Sequence, residues 1–258
     1  MLTLMKQEYF KVFKQNHLHW WLLVTFAFPI FIIGCFPIER MQTGILNLGQ
    51  GIIIVNFLGI IMTALIASQE FSYGTIRPLL SRRFNRLQVF ISKILLIISV
   101  YVLLFLADFL GTMVAKLFFA PSFDFSRQYG DPNGNGWVVI YRTVGETFLQ
   151  MLFIAGLVLL VVNLVKSSGA AIALGVVMVY GVPVLTALST FLLGQLPWLK
   201  WGPLQIFLGI QNIGRLGPQP DILYQALGLT LEQLVSTYVA YIVIIYTLAY
   251  YIFRKRSV

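Results

Sequence analysis

The chain has 258 residues, 59% of them hydrophobic and only 10% charged, with a formal net charge of +9 and a mean hydropathy of +0.85. Soluble domains are about 45–50% apolar and about 25% charged, and a small soluble fold leaves too much surface in water to hide this much apolar side chain. An ordinary soluble enzyme, a disordered protein and a disulfide-built secreted domain are therefore excluded, and an all-α polytopic membrane protein is expected.

In chain order, residues 1–19 come first. Leu2, Met5, Tyr9, Val12 and Phe13 share one face of a helical wheel, with Gln7, Lys11, Lys14 and Gln15 opposite. This is the pattern of a short helix lying in the membrane interface; a frayed tail is the alternative. His17 and His19 beside Trp20 and Trp21 read as headgroup-level side chains rather than metal ligands.

Stretches free of Asp, Glu, Lys and Arg then predict six crossings, because about 20 apolar residues traverse the hydrocarbon core. They are Trp20–Pro37, Leu48–Ser68, Ile94–Ala115, Thr143–Val165, Gly169–Leu193 and Gln233–Phe253. The runs are long and continuous, unlike the alternating segments of a membrane barrel. The single Cys35 cannot bridge internally and reads as a small buried hydrophobe of the first span.

Between the spans, residues 116–142 are aromatic and rich in turn formers, which predicts an ordered outer loop resting on the membrane. The fifth span is rich in small residues that allow close backbone approach. Residues 194–232 are apolar but repeatedly broken by Gly and Pro. They read as an outer re-entrant or interfacial helical element anchored by Trp198 and Trp201, with a plain loop as the alternative.

Twelve of the 18 Lys and Arg residues fall on the side of the N-terminus, so both termini are expected in the cytoplasm. The basic charge is thus a topology signal, and no nucleic-acid partner is expected.

Residues 69–93 are the most informative segment. Glu70 ends the second span, Gly74 permits a bend, Thr75 can cap a new helix and Pro78 suits its first turn. Ile76, Leu79 and Leu80 would form one face and Arg77 another, and Ser81 can open the helix into the third span. A solvated basic loop has no need of those three apolar residues.

This Glu-Phe-x-x-Gly-Thr-Ile-x-x-Leu-Leu pattern, followed by Arg and then Ser92-Lys93 at the start of an apolar span, resembles the permease subunits of ABC-2 type ABC transporters. It is similar to the small permeases of bacitracin- and lantibiotic-type export and immunity systems. The resemblance implies that Glu70, Gly74, Thr75, Ile76, Arg77, Leu79, Leu80 and Arg82 couple the bundle to a separate ATP-binding cassette subunit. ATP and Mg would sit on that partner, as this chain has no phosphate-cradling Gly-rich loop. It further implies a second permease copy or a sister permease, a bacterial cell membrane location, and export of an amphipathic or hydrophobic peptide, lipid or drug-like substrate.

Some polar groups lie within the predicted spans. Asp108, in the third span, is either a substrate-path or proton-handling acid or a buried polar link between helices. Asn56, Thr63, Gln150 and Asn163 either join helices or line a path, and Glu146 is placed to pair with Arg142 at the surface. No H-E-x-x-H, G-x-S-x-G or paired-acid site is present. Catalytic, cofactor-binding and metal-ligating residues are therefore not expected. A non-ABC transporter, a channel or a membrane-embedded enzyme is the alternative reading.

Overall fold

In a computed structural model of the chain, the residues described are 2–14, 16–35, 41–72, 85–128, 134–165, 169–170, 172–177, 180–181, 196–216 and 228–255. Backbone crossing lipid must satisfy its N–H and C=O groups internally, and the long apolar runs accordingly form helices. They are α1 (Leu2–Lys14), α2 (Asn16–Cys35), α3 (Met41–Leu46), α4 (Gly51–Ser72), α5 (Arg86–Phe119), α6 (Gly136–Val165), α7 (Pro203–Leu216) and α8 (Leu231–Lys255). Short 3₁₀ turns precede α4 and α7.

Among the described residues five helical stretches are long and apolar enough to cross a membrane: His17–Cys35, Leu48–Ser68, Arg86–Phe119, Gly136–Val165 and Leu231–Lys255. They coincide with five of the six predicted spans. Of the fifth predicted span, Gly169–Leu193, residues 169–170, 172–177 and 180–181 are described and helical; the remainder lies outside the described residues.

α4, α5 and α6 form the centre and are more than half buried, whereas α2 and α8 leave most of their spanning stretch exposed. α2 packs chiefly on α5 and α8 on α6, with α4 between α5 and α6. Because α2 is peripheral, Cys35 at its end is exposed, not buried as expected.

Three tight contacts explain this arrangement. Tyr101 of α5 lies over Gly59 of α4, where a Cβ would come within 2.0 Å of the ring. Gly175 sits against Ile60 and Val158, which seats the described part of the fifth predicted span between α4 and α6. Tyr246 covers Gly156. The Tyr246 hydroxyl donates to the Leu152 carbonyl at 3.0 Å, and the Tyr238 hydroxyl to that of Leu149 at 2.6 Å. Such links between helices are worth about 0.6 kcal/mol each on average.

Local expectations shift in three places. α1 turns Leu4, Glu8 and Val12 inward and leaves Phe10 and Phe13 exposed. It packs on protein through a face that includes Glu8, whose charge is met by Lys11 at 2.7 Å, and its Tyr9 hydroxyl bonds Ser99. Part of the predicted surface loop, just after α5, folds inward instead. Phe123 and Phe125 are buried with Ile33, Ile45, Leu48 and Ile140, because the two rings pack edge to face at 4.9 Å and Phe125 meets Trp137 at 4.5 Å. α5 opens at Asn85, not Ser81, with the Asn85 N–H donating to the Gln88 side chain at 3.2 Å. The broken segment before the last span does contain a helix, α7, which buries Gln205, Ile206, Phe207 and Ile210 against α6 and α8 while Trp198 and Trp201 stay exposed.

The guanidinium of Arg86 donates to the Arg254 carbonyl, so the start of α5 and the end of α8 share one end of the bundle, here the near end. The connection from α5 to α6 lies at the far end. Lys93, expected only as a flanking charge, is buried near the near end and donates to the Ile66 carbonyl at 2.8 Å.

Candidate functional site

The far half of the bundle carries a cleft of about 720 Å³ between α4 and α6. Asn47, Gln50 and Asn56 line one wall, and Thr143, Glu146, Thr147 and Gln150 the other. The α6 wall arises from helical spacing: 143, 146, 147 and 150 recur at three and four residues and so share one stripe. Turned toward lipid this stripe would be costly; facing the cleft it can be solvated.

The polar groups of the cleft are biased toward accepting hydrogen bonds. The Thr143 and Thr147 hydroxyls donate backward to the carbonyls of Val139 at 2.9 Å and Thr143 at 2.7 Å, which leaves their oxygen lone pairs for the cleft. The Gln150 amide donates to Glu146 Oε1 at 2.7 Å, so the Gln150 amide carbonyl is left to accept. Asn56 Oδ1 is buried without a hydrogen-bond partner among the described residues. Such a surface suits ammonium, guanidinium or peptide N–H donors. The described residues contain no group of three or more His, Cys, Asp or Glu able to hold a metal ion.

The α4 wall begins in a strained turn. Leu48, Gly49 and Gln50 have φ of 51°, 57° and 57°, the left-handed region that costs a residue bearing a side chain about 1–2 kcal/mol. Gly49 is required there, since a Cβ would lie 2.7 Å from the Pro29 Cα. The turn holds Asn47 and Gln50 at the cleft while burying Leu48 completely.

Asp108 is fully buried, and neither carboxyl oxygen has a hydrogen-bond partner among the described residues. It does not line the cleft. A Cβ on Gly51, the first residue of α4, would lie 1.6 Å from Asp108 Oδ1, so the carboxyl abuts the start of α4. The positive end of the helix dipole lies there. Asp108 and Asn56 thus sit on different faces of α4, and the structure does not bring them into one lining. Gly51→Ala is expected to lower stability by about 1–3 kcal/mol through overpacking. Adding Asp108→Ala should restore most of that loss, and denaturant unfolding in detergent reads both. A double variant no more stable than Gly51→Ala would show that the carboxyl is not the obstacle.

Glu70 lies in the last turns of α4. Gly74, Thr75, Ile76, Arg77, Leu79, Leu80 and Arg82 lie outside the described residues. Sequence reading did not recognise the α6 half of the cleft as a unit: it took Glu146 as a surface pair with Arg142 and left Gln150 as either a link between helices or a path-lining residue. The signal available was the polar stripe Thr143-x-x-Glu146-Thr147-x-x-Gln150 inside an otherwise apolar run.

A family model described as "Protein of unknown function (DUF2705)" matches residues 6–258. The chain is also similar to a protein of Bacillus subtilis (strain 168) described as "Uncharacterized membrane protein YdbK", with 28% identity over 155 residues. That alignment covers 60% of this chain and 59% of the relative, so less than two thirds of the relative's length is spanned. With an all-helical bundle of membrane-crossing helices and a match running from residue 6 to residue 258, the chain is a membrane protein belonging to the DUF2705 family.

Proposed function

We propose that the chain is the membrane-spanning subunit of an ATP-driven exporter of the ABC-2 type, with six crossings and both termini in the cytoplasm. The observation that carries this reading is the Glu70–Lys93 pattern placed directly after the second crossing. α4 ends at Ser72 and α5 starts at Arg86, so the segment that follows Glu70 connects two spans at the end of the bundle where α8 also finishes. That end is the basic one, in keeping with a cytoplasmic face. A separate ATP-binding cassette subunit would carry ATP and Mg and press on the segment through Ile76, Leu79 and Leu80, and a second permease copy or a sister permease would complete the pathway.

The acceptor-rich cleft in the far half supports a cargo that offers N–H donors, and a cationic amphipathic peptide fits best. In this reading Asn56 borders the path, while Asp108 lies outside it, against the start of α4. A non-ABC transporter would use the same cleft without a motor.

The test is purification of the tagged chain from its native membrane in mild detergent. A nucleotide-hydrolysing subunit is expected to co-purify in stoichiometric amount, with its ATPase rate rising when cationic amphipathic peptides are added. Peptide transport by the chain alone in ATP-free vesicles would overturn the reading.

A further inference from the structure

A second concavity, distinct from the polar cleft, lies on the seam between α5 and α6. It measures about 540 Å³, and its lining is apolar: Phe105 and Phe109 from α5, and Trp137, Tyr141, Gly145 and Phe148 from α6. Its α6 wall runs from Trp137 to Phe148, about 16 Å by helical rise. Trp137 and Tyr141, at its far-end rim, are 48% and 80% exposed, so the groove opens outward from the bundle rather than into its core. Gly145 leaves the groove open, since a Cβ there meets nothing within 4 Å.

Beyond the groove toward the far end, the same stripe of α5 carries a charge. Lys116 lies about two turns beyond Phe109 on the same stripe of α5, about 10 Å nearer the far end. It is half-buried, and no carboxylate among the described residues pairs with it. An apolar trough of this length, with two amphipathic aromatic side chains at headgroup level and, on the α5 stripe beyond Phe109, an ammonium without a carboxylate partner among the described residues, has the profile of an anionic phospholipid.

We infer that the α5–α6 groove binds one acyl chain of an anionic phospholipid from the far-end leaflet, with the lipid phosphate held by Lys116. The site is independent of the ATPase reading, because neither the motor segment nor the polar cleft contributes to it.

The test uses the full chain in nanodiscs of equal parts phosphatidylglycerol and phosphatidylcholine, followed by native mass spectrometry of the lipid retained. Phosphatidylglycerol is expected to be retained over phosphatidylcholine by about fivefold, the ratio expected of one lysine at a lipid surface. Lys116→Gln should bring the ratio close to one. Gly145→Phe fills the trough and should abolish retention, whereas Gly145→Ala, whose Cβ meets nothing within 4 Å and is too small to fill it, should retain lipid as the parent does. Unfolding temperatures of all three variants check that the bundle is intact. Equal retention of the two lipids by the parent chain, or undiminished retention by a folded Gly145→Phe, would overturn the inference.

Discussion

Gly111→Ala is expected to destabilise the bundle by about 3 kcal/mol, the upper end of the usual overpacking range, and Gly111→Leu to prevent α2 from seating at all. A Cβ at Gly111 would lie 2.1 Å from the backbone carbonyl oxygen of Phe26 and 2.8 Å from Pro29 Cγ. The obstacle is main chain, which cannot swing aside as a side chain can, so α2 and α5 would have to part along their whole contact. Pro29 worsens the conflict, because it is held on its other side by Gly49. Gly145→Ala provides the control. It sits mid-helix with open space around its Cβ, and removing glycine from a helix interior stabilises by about 1 kcal/mol. Denaturant or thermal unfolding in one detergent should therefore move the two variants in opposite directions. Equal behaviour would show that α2 and α5 are not in backbone contact.

Leu79→Asp is expected to abolish ATP-driven transport while leaving the chain inserted in the membrane. The proposed function seats the Ile76–Leu79–Leu80 face in a cleft of the ATPase subunit. Replacing a buried leucine by an unpaired carboxylate loses its packing and buries a charge, at a cost of about 3 kcal/mol or more. That corresponds to roughly a hundredfold weaker docking. The readouts are co-purification of the ATPase subunit and peptide-stimulated ATP hydrolysis, and both should fall together. Arg82→Gln, on the basic rim rather than the apolar face, should cost far less, because an exposed charge contributes about 1 kcal/mol at most. Full transport by an assembled Leu79→Asp complex would remove the docking role and leave the polar cleft to be explained by a transporter without a motor.

Much of the architecture was legible in the sequence, because lipid imposes a simple rule. A run of about 20 uncharged apolar residues must become a helix or leave its backbone unsatisfied, and five predicted spans match helices for that reason. The run before α8 was legible as non-spanning from its Gly and Pro residues, and α7 fills part of it. What composition could not reveal was which face of each helix meets protein. α1 carries apolar residues on several sides, and only its packing on α5 through Tyr9 and Ser99 selects the face of Leu4, Glu8 and Val12. The buried phenylalanines of the α5–α6 connection were unreadable for the same reason: an aromatic in a loop suits a membrane surface or a second small core equally well.

The candidate site divides along the same line. The sequence by itself determined that polar side chains such as Asn56, Asp108 and Gln150 lie within apolar runs, since each stands out against its neighbours. Only the tertiary structure decided that Asn56 and Gln150 face one cleft while Asp108 is turned to the start of α4 against Gly51. The physical reason is that a helix projects residues in every direction around its axis. The partner of each projection is set by the glycine contacts at Gly49, Gly51, Gly59 and Gly111, where backbones approach closely enough to fix the rotation of one helix against the next.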